Sequence, residues 1–298
     1  MIHLDAATVL LQWATGGLAF LWVTTRHREV GLGYGWLLRS VFAVLAAGAV
    51  ACGVLLDTVP VREAAAAGVV VAALVALGVS VARKRAGVRG RQAEHDRRSA
   101  RVAVMTGIER SVTLDGGGAP APTTTAPTGR PAPRREFDPR LDLIAPAIGI
   151  VGLVAAGLAA GGNDALAVAR TLAGAAFLGV VTDAMLLGHW YLVQPGLPRR
   201  LLNELVTCVL WVWPVEVALL LIPTGMVSVL DGSIDDGWNG TLGWFWVACA
   251  LTTLGLAFVT RAALRERQYS AVMAATGLLY LAILTGFGTD LVARATLA

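Results

Sequence analysis

The stretch 165-ALAVARTLAGAAFLGVVTDAMLLGHW-190 decides the fold class of this chain. A helix needs about 20 mostly apolar residues to cross the hydrocarbon core of a bilayer, and this run is longer than that. Its only ionisable residues are Arg170, Asp183 and His189. The stretch therefore predicts a transmembrane helix, and the same template was applied to the rest of the sequence.

Seven further segments match the template: 7–25, 36–56, 63–82, 142–161, 201–223, 241–260 and 269–292. The composition agrees, because the 298 residues are 56% hydrophobic and 15% charged, whereas about 25% of the residues in a soluble domain are charged. The sequence therefore predicts an all-α, polytopic integral membrane protein with eight transmembrane helices. The short connections 57–62 and 161–164 predict that these helices pack as antiparallel hairpins.

Basic residues alternate with acidic ones from loop to loop. Lys and Arg fall in the loops 26–35, 83–140, 191–200 and 261–268, whereas the opposite loops hold Asp57, Asp164 and the acidic residues of 231–236. Because cytoplasmic loops carry the excess of Lys and Arg, the four basic loops are predicted to be cytoplasmic and both termini to be outside. The expected location is the plasma (cytoplasmic) membrane. The net charge of +4 then indicates contact with lipid headgroups and no nucleic-acid partner.

The long connection 84–140 divides the chain into a three-helix portion, 1–83, and a five-helix portion, 141–298. Residues 91–110 are predicted to form a short cytoplasmic surface helix, and the Pro-, Gly- and Thr-rich residues 116–133 are predicted to be disordered. The N-terminus lacks a basic region and a cleavage motif, so the first apolar run is expected to be a retained helix. The single cysteines Cys52, Cys208 and Cys249 are expected to be packed core side chains.

Ionisable residues within the spans indicate where a functional site lies, since each costs about 2.5–3.5 kcal/mol at mid-membrane on insertion scales. Asp183 and Glu216 are the deepest. Arg39 and Glu204 lie near cytoplasmic ends, where long side chains reach the interface. Arg170 and Asp290 lie toward the outer ends of their spans. Their side chains are therefore expected at the lipid headgroups.

These positions predict a path for protons, a small cation or a small solute between the fifth and sixth helices. His189 and Glu204 would form its cytoplasmic mouth, and Asp183 and Glu216 its interior. Asp183 and His189 point about 120° apart around their helix, which disfavours one continuous polar stripe. The structural alternative is that Asp183 pairs with an arginine such as Arg39 and that Glu216 accepts backbone or Trp N–H groups.

A redox site is the second hypothesis, with quinone or haem as the candidate cofactor of an accessory subunit in a larger respiratory, electron-transfer complex. His189 could hydrogen-bond a quinone carbonyl within an aromatic wall of Trp190, Tyr191, Trp211 and Trp213. Haem would require His27 opposite His189, because Met185 shares a helix with His189 and cannot supply the opposite axial ligand. An interfacial aromatic belt also explains Trp190 and Tyr191. A scaffold subunit that contacts other membrane subunits is the third hypothesis.

Two remaining features of the sequence bear on function. Pro214 lies within the sixth span and is predicted to kink it close to Glu216. The sequence contains no P-loop, no HExxH, no GxSxG and no Cys/His cluster for zinc, and its single lysine, Lys84, lies in a loop. A soluble-substrate enzyme and a retinal Schiff base within a span are therefore disfavoured.

Overall fold

The computed structural model describes residues 4–84, 136–194, 196–222, 225–266 and 268–297. Of these residues 83% are helical, and none of them forms a strand. Eight helices are long and apolar enough to cross a membrane, which confirms the predicted all-α class and the number of spans. They are α1 (Ala6–Thr25), α2 (Leu32–Leu55), α3 (Pro60–Ala82), α4 (Ile144–Ala159), α5 (Asp164–Val193), α6 (Arg199–Leu221), α8 (Thr241–Ala263) and α9 (Tyr269–Thr296). The span of α4 includes the 3-10 turn that precedes it and runs over Pro139–Ala159.

Two short helices were not predicted from the sequence. A 3-10 helix, Pro139–Leu143, leads into α4, and α7, Met226–Leu230, lies between α6 and α8. Both are too short for an apolar period to reveal them. The predicted surface helix at 91–110 and the predicted disorder of 116–133 lie outside the described residues.

Local signals explain where several helices begin. The Asp5 carboxylate accepts the backbone N–H groups of Ala7 and Thr8, each at 3.1 Å, and so caps α1. The Asn163 side chain caps α5 in the same way. These side chains satisfy N–H groups that a helix leaves without a partner in its first turn.

The helices before and after the long connection share one core. α1 packs against α2, α4 and α5, while α3 packs against α4 and α9 packs against α5 and α8. Gly16 of α1 and Gly179 of α5 allow the closest approach, because a Cβ atom at Gly16 would lie 1.8 Å from the Ala175 carbonyl oxygen. The outward faces expose large apolar side chains, among them Val44 and Leu284, which is consistent with contact with a lipid bilayer.

The two ends of the bundle differ in character. The end that we call the terminal face is formed by the beginning of α1, the α2–α3 and α4–α5 turns, the connection from α6 to α8 and the end of α9. A cavity of about 80 Å³ lies there, and its lining includes Asp5, Asp57, Arg62, Thr171 and Arg294. The opposite end, the basic face, carries interhelical ion pairs: Arg26 with Glu204, Arg28 with Glu136 and Arg200 with Glu29.

Candidate functional site

Asp183 lies on α5 in the interior of the bundle. Its side chain is completely buried, and neither carboxylate oxygen has a hydrogen-bond partner within the described parts of the chain. Its immediate neighbours on α5, Thr182 and Ala184, are also buried. An ionisable group enclosed without a partner is costly, so its presence requires a reason other than packing.

The suggested pairing of Asp183 with Arg39 is wrong. Arg39 instead forms a two-pronged ion pair with Asp142, with Nε–Oδ1 and Nη2–Oδ2 distances of 2.7 and 2.8 Å. The Arg39 guanidinium also lies 4.4 Å from the centre of the Phe137 ring. Arg39 is buried rather than extended to the interface, because the 3-10 helix before α4 supplies its partner.

Glu216 lies on α6 and is likewise completely buried. Among the described residues no N–H or O–H group donates to either of its oxygens, so the predicted backbone or Trp bonds are wrong. Trp213 donates instead to the Ala250 carbonyl oxygen, at 3.0 Å. The charged neighbours of Glu216 are Asp290 and Arg294 of α9 and Arg170 of α5, and the Asp290 carboxyl is within hydrogen-bonding reach.

Arg170 and Asp290 do not extend to the headgroups as predicted, since both are buried. Asp290 accepts a hydrogen bond of 2.8 Å from Nε of Arg294. Arg170 donates to the carbonyl oxygens of Leu219 and Ile222, at 2.9 and 2.8 Å. The last carbonyl groups of a helix lack intrahelical donors. Arg170 donates hydrogen bonds to two such carbonyl groups at the end of α6.

Small and polar side chains complete this cluster. Gln12 of α1 donates from Nε2 to the Thr171 carbonyl oxygen at 2.6 Å. A Cβ atom at Gly174 would lie 2.7 Å from Oδ1 of Asp290 and 2.8 Å from Nε2 of Gln12. The absence of a side chain at Gly174 therefore leaves the space that the polar groups of α1 and α9 occupy beside α5.

Asp183 and Glu216 occupy different depths and do not form one site. Arg170, beside Glu216, and Asp183 are thirteen residues apart on α5. At 1.5 Å per residue this separation is about 20 Å along the helix. Glu216 therefore lies toward the terminal face, and Asp183 lies nearer the basic face.

His189 and Glu204, the residues of the predicted cytoplasmic mouth, have different partners in the structure. His189 is exposed, and its Nδ1 lies 3.1 Å from the Tyr280 hydroxyl on α9. Glu204 pairs with Arg26 and lies 2.9 Å from Nε2 of His27. His27 and His189 thus have different partners, and the haem pair stays a prediction.

The predicted aromatic wall is also not assembled. Trp211 is 74% exposed and faces away from the bundle. The Tyr191 hydroxyl donates to the Pro198 carbonyl oxygen at 2.7 Å, and Trp190 donates to the Gln194 side chain at 3.3 Å. Met185 is half-buried on α5 beside the main core, on the same helix as His189. No group of three or more His, Cys, Asp or Glu residues suited to a metal occurs in the described ranges.

Helix α6 continues through Pro214 from Arg199 to Leu221. A proline has no N–H group and therefore leaves the carbonyl four residues earlier without its helical donor. This carbonyl belongs to Leu210, which precedes Glu216 on the same helix. The kink itself stays a prediction.

Sequence reasoning missed Asp142, Gln12 and Arg294. Arg294 follows the predicted end of the last span at residue 292, whereas α9 continues to Thr296. Asp142 lies at the first residue of a predicted span, a position typical of an interfacial acid. The signal that could have found Arg294 is its spacing of four residues from Asp290, which places both on one face of a helix.

The chain was compared with known proteins in three ways. No family model matches it, and the comparisons with curated proteins and with solved structures found no match either.

Proposed function

We propose that this multi-pass membrane protein handles protons, or a small cation or solute, by means of the ionisable groups buried on α5, α6 and α9. The supporting observation is that Asp183 and Glu216 are each completely enclosed and receive no hydrogen bond within the described structure. An ionised carboxylate in such surroundings is unstable unless a proton or a cation accompanies it. Binding and releasing such a species is what transport through the bundle requires.

The positions of the charges support an oriented path. The basic face carries arginines at the ends of α1, α3 and α6, whereas the loops of the terminal face expose Asp57, Asp164 and Asp231. By the positive-inside bias we infer that the basic face is cytoplasmic and that the terminal face is outside, in a plasma membrane. Consecutive helices then run in opposite directions as hairpins, and the path connects the outside with the cytoplasm.

Purified protein reconstituted into liposomes that contain a pH-sensitive dye tests this function. A potassium diffusion potential drives proton movement, and parallel experiments replace the proton gradient with sodium or potassium gradients. We expect native protein to carry one of these ions and expect Asp183→Asn and Glu216→Gln each to reduce the flux to the leak of empty liposomes. Asp231→Asn is the matched control, because Asp231 is an exposed loop carboxylate.

Two outcomes would overturn the proposal. One is that native protein moves none of the ions offered. The other is that both interior variants, folded and inserted as well as the native protein, transport at the native rate.

A further inference from the structure

The second buried position contains two acids rather than one. Glu216 of α6 and Asp290 of α9 are each completely buried, and their carboxyl groups are within hydrogen-bonding reach of each other. One oxygen of Asp290 is occupied by Nε of Arg294, while its Oδ1 and both oxygens of Glu216 have no donor in the described part of the chain. Oδ1 of Asp290 and both oxygens of Glu216 are therefore available for a hydrogen bond between the two carboxyl groups.

A hydrogen bond between two carboxyl groups requires a proton on one of them. An ionised carboxylate offers only acceptors, so two ionised groups at this range repel each other and cannot bond. One shared proton converts the repulsion into an O–H···O⁻ bond, which is among the stronger hydrogen bonds in proteins.

The groups that face the pair favour one proton and one negative charge. The cations are Arg294, on the same helix as Asp290, and Arg170 of α5. α1 contributes the uncharged Gln12, whose Nε2 lies beside Gly174 together with Oδ1 of Asp290. Arg294 holds the ionised partner in place through its 2.8 Å bond to Asp290, which leaves Glu216 as the group that carries the proton.

Arg294 connects the pair to a cavity: it donates to Asp290 and lines the cavity, whereas neither acid lines it. The cavity of the terminal face reaches Arg294 and Thr171, and its volume is about 80 Å³. A water molecule needs about 10–15 Å³ of such space, so the cavity has room for several hydrogen-bonded waters. Asp183 is about 20 Å further along α5 and is not part of this cavity.

We propose that Glu216 and Asp290 form a proton-binding pair that holds one proton and exchanges it with water in the terminal-face cavity. On release, the Glu216 O–H bond breaks, the proton passes to cavity water, and the negative charge remains beside Arg294 and Arg170. The inference rests on the proposed function, to which it adds the ligand, the proton, and the side from which that ligand arrives.

Infrared spectroscopy of the purified full chain in lipid nanodiscs tests the pair directly, because a protonated carboxyl has a C=O band that shifts in D₂O. We expect the native protein to show this band at neutral pH and expect Glu216→Gln and Asp290→Asn each to remove the same component. Asp183→Asn should leave that component in place, and the exposed control Asp231→Asn should leave the whole band unchanged. If Asp290→Asn fails to fold, Glu216→Gln alone decides, since Glu216 has no donor to lose.

The access route is tested by a pH jump that follows the same component with time. Ala159 lies at the exposed rim of the cavity, so Ala159→Phe should obstruct the mouth and slow the response several-fold. Ala47→Phe, at an exposed position on α2, is the matched control and should respond at the native rate.

Three results separate the claims. If Glu216→Gln does not remove the component that Asp290→Asn removes, or removes no component, the shared proton is overturned. An unchanged rate in Ala159→Phe overturns the access route. If the infrared band behaves as expected but the protein carries no ion, the proposed function is overturned. The proton-binding pair is then still supported.

Discussion

Asp142 and Asp183 are both buried aspartates, and they differ in whether a hydrogen-bond donor contacts the carboxylate. Asp142 receives two hydrogen bonds from the Arg39 guanidinium, whereas neither oxygen of Asp183 has a partner among the described residues. A buried ion pair that loses one member leaves an uncompensated charge, whereas an unpaired buried acid costs free energy as long as it is present. The same substitution at the two positions should therefore have opposite effects.

We expect Asp183→Leu, which preserves the branching of the side chain, to raise the free energy of unfolding by about 1–3 kcal/mol. Asp142→Leu should lower it by about 3–5 kcal/mol, and adding Arg39→Met to Asp142→Leu should restore most of the loss. Equilibrium unfolding in mixed detergent micelles measures all three variants. A loss of stability in Asp183→Leu comparable to that in Asp142→Leu would show that Asp183 has a structural role and would weaken its assignment to transport.

At the scale of helices, the contact between α1 and α5 depends on two glycines. A Cβ atom at Gly16 would lie 1.8 Å from the Ala175 carbonyl oxygen, and one at Gly179 would lie 2.2 Å from the Gly16 carbonyl carbon. Both obstacles are backbone atoms, so the helices would have to separate. In a membrane, where helices associate through close packing, such separation removes the main attraction between them.

Gly16→Ala and Gly179→Ala should each lower the free energy of unfolding by about 1–3 kcal/mol or more, the usual cost of overpacking. The controls are Gly255→Ala in α8 and Gly277→Ala in α9, where a Cβ atom would meet nothing within 4 Å. We expect these controls to be unchanged or slightly more stable, since alanine favours a helix. Equal losses at all four positions would refute the importance of the crossing.

The beginning of α8 is sensitive to acid. Desolvation raises the pKa of Asp236, but the backbone N–H groups of Gly240, Trp238, Gly243 and Leu242 outweigh it and lower the pKa overall. Because the folded pKa lies below the unfolded value of about 3.9, the stabilising effect is complete above that value and is lost as the pH falls through the folded pKa. The first turn of α8 should then open more often at strongly acidic pH than at neutral pH.

Hydrogen exchange of the amides at 238–243, corrected for the intrinsic effect of pH, measures this loosening. Asp236→Asn should reduce protection already at neutral pH and flatten its dependence on pH. Asp235→Asn is the matched control, because Asp235 accepts a single backbone N–H, from Gly237. Identical profiles for both variants would contradict the assignment of the effect to Asp236.

Apolar length made the eight spans predictable, since a run such as 165–190 has no alternative to a transmembrane helix. The partners of the buried charges were not predictable, because they depend on which helices adjoin. Arg39 meets Asp142 because the 3-10 helix packs beside α1 and α3, the neighbours of α2. Glu216 meets Asp290 because α6 and α9 both adjoin α5. The depth of a residue along its helix can be predicted from the sequence. Which residue lies opposite it on a neighbouring helix depends on how the helices pack.

At the scale of the whole molecule, the charge asymmetry of the two faces predicts the orientation in the membrane. The basic face collects arginines from the ends of α1, α3, α6 and α8, and the terminal face exposes Asp57, Asp164 and Asp231. Insertion keeps loops rich in Lys and Arg on the cytoplasmic side, so the terminal face should be outside. The proton-binding pair then draws its protons from outside the cell.

Single cysteines test this orientation in a background in which Cys52, Cys208 and Cys249 are replaced by alanine. A membrane-impermeant thiol reagent added to intact cells should label Asp57→Cys, Asp164→Cys and Asp231→Cys, each at an exposed position of the terminal face. Arg26→Cys and Arg265→Cys, exposed on the basic face, should be labelled only after the cells are made permeable. The reverse pattern would place the cavity on the cytoplasmic side, and Glu216 and Asp290 would then exchange protons with the cytoplasm.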